Sequence, residues 1–272
     1  MNKNPHSAPA DAGKAAPSAS FESAWRDRFD RFAARGGSAA KISGWSEHGL
    51  ERRLEEIGRA LRRWPLKKAS RILDLGCGSG VYCLHLREDG LRPVGADFSE
   101  GMLGRARAVL EAVEGPVAVP LVQADVLKLP FADQVFEGLI NVGVLQHIED
   151  GATALREMLR VLEPGGRAYI ITLNRNSAHG LVGHLLAVSK AWRKGQWRPQ
   201  KHAIRRRPAE FVRVARSGCG RVIGLRGVYL FPRYFRWLEV LLPKFDGMRW
   251  PWLGSPVFLP LANAFLLAIE KD

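Results

Sequence analysis

The run Arg71-Ile72-Leu73-Asp74-Leu75-Gly76-Cys77-Gly78-Ser79-Gly80 constrains this chain more than any other stretch. β-favouring apolar residues lead straight into three glycines at alternate positions, and Val81 to Arg87 reads as helix. A strand that enters a glycine turn at a helix start exposes backbone N–H groups to a nucleotide-like ligand. Glycine is needed there because a Cβ blocks the approach or forbids positive φ. Spacing narrows the ligand. A dinucleotide turn has the pattern G-x-G-x-x-G. Counted from Gly76 its last position is Val81, and counted from Gly78 it is Cys83. A phosphate loop would end in Gly-Lys-Ser/Thr, which this run does not.

The segments that follow repeat a strand-helix unit. Leu91 to Ala96 reads as a second strand ending at Asp97. An acid there, on the order of 20 residues past the turn, suits a two-pronged grip on ribose hydroxyls. Phe98 and Met102 are candidates to cover one face of an adenine ring, and Met102 reads equally as core. Ser99 suits the N-cap of a helix carrying Met102, Leu103, Ala106 and Leu110. Val117 to Val122 reads as strand three, followed by Asp125 and Val126. Gly138 to Val144 reads as strand four, ending near Asn141. Arg160 to Gly166 closes a helix with Pro164 and Gly165, and Arg167 to Leu173 reads as strand five. Such alternation implies a parallel sheet with helices on both faces.

The run D-x-G-x-G-x-G from Asp74 to Gly80 resembles motif I of class I S-adenosylmethionine-dependent methyltransferases. Asp97, Asp125 and the stretch Leu129-Pro130-Phe131-Ala132-Asp133-Gln134-Val135-Phe136-Glu137 extend the resemblance, with Glu137 where the family has Asp. It covers roughly residues 71 to 175 and is closest to the small-molecule enzymes of ubiquinone and menaquinone biosynthesis. The resemblance implies a Rossmann-like α/β fold: a seven-stranded, mostly parallel sheet with an antiparallel last strand and helices on both faces. It implies S-adenosylmethionine as cofactor, held by Asp74, Gly76, Gly78, Gly80, Asp97, Phe98, Met102, Asp125, Val126 and Asn141. It places Asp125 on the adenine amino group.

Charge divides the chain. The net formal charge is +14. Residues 71–175 carry four more acids than bases, whereas bases exceed acids by six over residues 1–70 and by twelve over 176–272. Basic flanks favour anionic acceptors, anionic lipid surfaces or nucleic acid. The expected organisation is a disordered tail over 1–20, a helical lid over 21–70, the cofactor core over 71–175, and a C-terminal completion of the sheet with substrate-binding insertions over 176–272. The tail is rich in Ala, Pro and Ser and lacks the apolar stretch of a signal peptide. Phe21, Trp25, Phe29 and Phe32 form one helical stripe, and Leu50, Leu54, Ile57 and Leu61 another. Both suit packing on the core or closing over the cofactor, with Lys41 to Ser46 as part of the lid. Cys77, Cys83 and Cys219 match neither a disulfide framework nor a zinc spacing, so no metal is expected and a reducing cytoplasm is the natural compartment.

At the C-terminal end, a helix opens at Pro208 and runs through Ala215, with Gly218 ending it. Gly220 to Tyr229 reads as strand six and Asn263 to Glu270 as an antiparallel strand seven. Phe231 to Phe258 interleaves aromatics with Arg233, Arg236, Lys244 and Arg249. That composition suits a wall for a hydrophobic acceptor and peripheral contact with an anionic membrane.

His147, just past strand four, is the candidate general base. A base is needed only where the acceptor atom carries a proton that must leave. His179, His184 and His202 lie in an insertion that sequence does not place. The favoured reading is methyl transfer to a small hydrophobic or anionic acceptor such as a quinone, lipid precursor or secondary metabolite. The alternatives are an RNA methyltransferase, suggested by the basic flanks, and a non-catalytic cofactor-binding subunit. Strand four ends Asn141-Val142-Gly143-Val144, without the N/D-P-P-Y/F run of base-amine methylation.

Overall fold

In this computed structural model, the residues described are 19–35, 37–42, 47–113, 118–177, 203–218, 220–228, 259–260 and 262–272. Most of the tail, the loop at 43–46, the histidines at 179, 184 and 202, Cys219, and the aromatic-basic segment 231–258 lie outside them. Three helices come first: α1 (Ala19–Arg35), α2 (Ala39–Ile42) and α3 (Glu47–Arg63). Ala19 and Ser20, read with the tail, are already helical. The core then alternates β1 (Arg71–Leu75), α4 (Val81–Glu88), β2 (Arg92–Asp97), α5 (Glu100–Glu111), β3 (Leu121–Gln123) and β4 (Phe136–Val142). A 3-10 turn (Leu145–His147) precedes α6 (Gly151–Val161) and β5 (Leu162–Leu173). The chain ends with α7 (Pro208–Ser217), β6 (Gly220–Val228) and β7 (Ala264–Lys271).

The strands form one sheet in the order β3-β2-β1-β4-β5-β7-β6. The first five are parallel, and β7 is antiparallel to both β5 and β6. Alternation along each strand sorts side chains to two cores. Leu73 and Leu75 of β1 and Phe265, Leu267 and Ile269 of β7 pack with Leu155, Met158 and Leu159 of α6 and Phe211 and Ala215 of α7. Ile72, Leu266 and Ala268 face the other way, onto Ile57 and Ala60 of α3 and Tyr82 and Leu86 of α4. Each large side chain buried this way contributes about 1.5–3 kcal/mol.

Two boundaries differ from the sequence reading for physical reasons. Strand five starts at Leu162, which pairs with Phe136. The register then slips, so that Arg167 pairs with Gly138. Pro164, Gly165 and Gly166 therefore form an irregularity inside a strand, Gly165 at φ 77°, rather than a helix terminator. Strand three is a short edge, Leu121–Gln123, instead of Val117 to Val122. Pro120 has no N–H to give to a ladder and only accepts from Gly95 N, at 2.9 Å.

The strands run parallel here, but the direction in which they are added to the sheet reverses between β1 and β4, which are neighbours with β2 and β5 on their outer sides. Such a switch leaves a crevice at the carboxyl ends of the strands, where ligands bind in open α/β sheets. Asp97 ends β2 at that edge, and Gly76, Asp125 and His147 follow β1, β3 and β4 there.

Candidate active site

The glycine turn is folded by its own backbone. Gly76 N and Cys77 N both donate to Ala96 O, at 2.7 and 3.0 Å, tying the end of β1 to the end of β2. Gly76 has φ 80°, and a Cβ there would fall 2.1 Å from Val144 Cγ2. Only glycine lets the turn pass under the segment that follows β4. Asp97 locks the turn from the next strand: Gly78 N donates to its Oδ2 and Ser99 N to its Oδ1, each at 2.9 Å. Burial raises the Asp97 carboxyl above its usual range, and the backbone donors oppose that. Ser99 caps α5 by accepting from Met102 N at 3.1 Å, and its hydroxyl donates to Asp30 of α1.

Gly76, Gly78, Asp97, Phe98, Met102, Asp125, Val126 and His147 line one cleft, together with Trp25, Arg26 and Phe29 of α1 and Val142, Gly143, Val144 and Ile148. Asp125 is half-buried and accepts from Leu127 N at 2.9 Å. Met102 is almost fully buried against Ala33 and Ile42, with Phe29 and Phe32 packed on the same cluster, so it serves the core and the cleft floor together.

Three expected cofactor residues stand outside this lining. Asp74 is 1% exposed in β1, its carboxylate accepting from Cys83 Sγ at 3.3 Å. Burial pushes its pKa up to about 7, which the Cys83 hydrogen bond only partly opposes. Gly80 backs onto Ala106 of α5. Asn141 is fully buried and donates from Nδ2 to Leu75 O at 2.9 Å, joining β4 to β1 beneath the turn. Asp74 and Asn141 shape the strand ends that carry the turn.

His147 is enclosed by α1. Its ring centroid lies 3.9 Å from that of Trp25 and 5.3 Å from that of Phe29, the latter edge-on. Burial, helped by the Arg28 charge, pushes its pKa down to about 3, so the ring is neutral at physiological pH. Gln146 Nε2 lies 3.1 Å from His147 Nε2, while Nδ1 is buried without a partner among the described residues. Arg26 covers the Phe98 ring, its guanidinium carbon 3.8 Å from the centroid. The α1 residues belong to the aromatic stripe visible in the sequence. Their arrival at the cleft is a tertiary fact, fixed by α1 packing on α5 through Asp30 and Ala33 against Gly101.

The core of this chain, residues 73–170, matches the family model described as "Methyltransferase domain". Its cleft fits S-adenosylmethionine. The turn presents bare backbone at Gly76 and Gly78, and the Asp97 carboxylate keeps lone pairs beyond the two it gives to the backbone.

Among curated proteins, the chain is 41% identical over 112 residues to a demethylmenaquinone methyltransferase of Corynebacterium urealyticum, covering 41% of this chain and 45% of that protein. It is 29% identical over 186 residues to a ubiquinone biosynthesis O-methyltransferase of Rhizobium rhizogenes, covering 67% and 73%. The chain thus spans less than half the length of the demethylmenaquinone methyltransferase. Among solved structures, magnesium protoporphyrin IX methyltransferase of Synechocystis PCC 6803 aligns with a TM-score of 0.62 at 14% identity, over 93% of this chain and 96% of that one, which shows the shared fold. Among the described residues, no helix is long and apolar enough to cross a membrane.

Proposed function

We propose that this chain transfers the methyl group of S-adenosylmethionine to a small hydrophobic or anionic acceptor that lies against His147, Trp25 and Phe29. The observation that carries the reading is a single cleft that joins the Gly76–Gly78 turn, Asp97 and Asp125 to an aromatic cage around a neutral histidine. The similarity to demethylmenaquinone and ubiquinone-biosynthesis methyltransferases supports a ring-bearing acceptor of quinone type.

Bound S-adenosylmethionine supplies an electrophilic methyl group on a sulfonium. The protein's part is to bind, orient and dehydrate. Asp97 and Asp125 would accept from the hydroxyl and amino groups of the nucleoside, and Phe98 and Met102 would present apolar surface to its base. Trp25, Phe29 and Ile148 exclude water from the acceptor, and alignment of the two reactants supplies most of the acceleration.

His147 hydrogen-bonds the acceptor's hydroxyl. With the Gln146 amide nitrogen facing Nε2, the ring accepts there and carries its hydrogen on Nδ1; taking the acceptor's proton requires the Gln146 amide to turn its oxygen to Nε2–H, which leaves the Nδ1 lone pair open. A ring whose protonated form is so disfavoured is a weak proton sink. The site therefore suits acceptors that are themselves acidic, such as phenols and hydroquinones. The segment 231–258 lies outside the described residues; its aromatic and basic sequence suits peripheral contact with an anionic membrane surface.

The test is methyl transfer from labelled S-adenosylmethionine to a short-chain demethylmenaquinol and to a panel of phenols and catechols, beside calorimetry of cofactor binding. Label in an acceptor, lost in Asp97→Ala, is the expected result. Binding of NAD with no binding of S-adenosylmethionine overturns the reading. Co-sedimentation with anionic but not neutral liposomes in low salt is expected for the membrane contact, and equal negligible binding to both removes it.

A further inference from the structure

The turn that carries His147 is held from beneath by a buried arginine. Arg206 is 7% exposed. Its Nε donates to Leu145 O at 3.3 Å, and its Nη2 donates to Glu149 O at 3.0 Å and to Ile148 O. Two residues earlier, Ile204 N donates to Gln146 O at 2.7 Å. The carbonyls of residues 145, 146, 148 and 149 are thus all taken by one short stretch, and His147 sits in their midst.

That stretch is itself anchored to the sheet. Arg206 N donates to Leu173 O at 2.9 Å, and Arg175 N donates to Arg206 O at 2.8 Å, at the end of β5. The helix beyond leaves room for the guanidinium: a Cβ on Gly151 would lie 3.1 Å from Arg206 Cζ and 3.2 Å from Nη2. Glu210 faces the guanidinium from α7 at 3.9 Å.

A buried guanidinium is a costly way to stabilise a turn, since an apolar side chain fills the same volume without desolvating a charge. What the planar fork supplies is direction, with donors fixed relative to one another. The last carbonyls of a 3-10 turn have no partners within the turn; here Leu145 O meets that fork, as do Ile148 O and Glu149 O just beyond the turn, while Gln146 O meets Ile204 N.

We propose that Arg206 is a positioning residue for methyl transfer: by capping the carbonyls on both sides of His147, it fixes the height and tilt of the imidazole against the acceptor. Trp25 and Phe29 confine the ring from above, and Arg206 confines its backbone from below. The inference rests on the reading that His147 meets the acceptor. It adds that residues from beyond β5, immediately after segment 178–202, set the geometry of a group that follows β4.

The test uses the full chain with Arg206→Met, Arg206→Lys and Gly151→Ala. The last keeps the arginine and a sound helix start but crowds the guanidinium out of its seat. Imidazole NMR between pH 5 and 8 reads the ring directly, calorimetry reads cofactor binding, and initial rates with the best acceptor read chemistry. In the parent the His147 signal is expected not to move over that range. In Arg206→Met and Gly151→Ala the ring is expected to titrate toward its ordinary value of 6.5. Turnover should fall about 10- to 100-fold, as misplacement by an ångström costs, with cofactor affinity within about threefold of the parent. Arg206→Lys, a point charge without the fork, should fall between.

A His147→Ala control separates the two claims. If His147→Ala turns over like the parent while Arg206→Met frees the ring, the role given to His147 fails and the clamp stands. If His147→Ala is slow but the ring stays silent and turnover stays at the parent level in Gly151→Ala, the positioning role is overturned. Should Arg206→Met fail to fold, Gly151→Ala decides alone.

Discussion

Trp25 and His147 stand with their ring centroids 3.9 Å apart at an angle of 55°. One belongs to the first helix of the chain and the other to the turn beyond β4. Arg28, one turn along the same helix, adds its charge to the burial that disfavours the imidazolium. The N-terminal helix therefore does two things to the cleft: it walls the side where His147 lies and keeps the histidine neutral. An acceptor ring reaching His147 has to lie beside the indole or displace it.

Replacing Trp25 with Ala removes that wall without touching the glycine turn. The aromatic contact is worth about 0.5–1.5 kcal/mol beyond the area buried. The acceptor KM should rise roughly tenfold or more, while cofactor affinity changes by less than about threefold. Steady-state kinetics against both substrates checks the split, and an equal loss on both sides would show that α1 holds the cofactor instead.

Asp97→Ala should weaken cofactor binding by about 10- to 100-fold, the range for a hydrogen bond to a charged group. The substitution also strips the acceptor from Gly78 N and Ser99 N, so Asp97→Asn is the cleaner probe. It keeps one oxygen and loses the charge. Calorimetry of both variants reads the difference, and parent-like affinity in Asp97→Asn would deny the carboxylate a charged role.

Gly76→Ala should abolish cofactor binding and lower stability. The new methyl would fall 2.1 Å from Val144 Cγ2, at a backbone φ of 80° that alanine adopts only with strain. A compensating Val144→Ala relieves the clash but not the strain, so it should recover stability only in part. Urea unfolding of the single and double variants measures both contributions.

Asp74 and His147 push stability in opposite directions with pH. Folded Asp74 keeps its proton up to about 7, whereas its unfolded counterpart loses it near 3.8. Its contribution falls as pH rises through that window. Folded His147 refuses a proton down to about 3, whereas the unfolded ring takes one near 6.5. Its contribution rises with pH between those limits. Each slope is about 1.4 kcal/mol per pH unit, and between pH 3.8 and 6.5 they oppose. Asp74→Asn should therefore gain stability relative to the parent as pH rises from 4.5 to 6.5, and His147→Gln should lose it. Urea midpoints at three pH values settle the signs.

The sequence carried the core because its signals are local. The glycine turn, the acids at strand ends and the Ser99 cap each depend on a few neighbouring residues, and the cleft brings together Gly76, Gly78, Asp97, Phe98, Asp125 and His147. Asp74 reads as a cofactor residue from its place in the glycine run. On the strand, its side chain turns instead to Cys83, a contact that sequence spacing does not show. Pro164 to Gly166 reads as a terminator because both residue types break helices, yet the neighbouring strand tolerates them as a slip in register. Trp25, Arg26 and Phe29 carry only the helical stripe. Arg206 is one of three consecutive arginines, and nothing local distinguishes the one that is buried.

The order of the strands also dictates an order of events at the ribosome. β7 lies between β5 and β6, although it is synthesised after both. Until Ala264 to Lys271 emerge, β6 has no strand to join, and β5 presents an open edge with apolar residues on both faces. The nascent chain can form the glycine turn and the cleft edge from β1 to β4 while this part of the sheet waits. A nascent chain stalled just before residue 264 is thus a candidate for chaperone capture, and release of the last strand converts an adhesive edge into a closed interior.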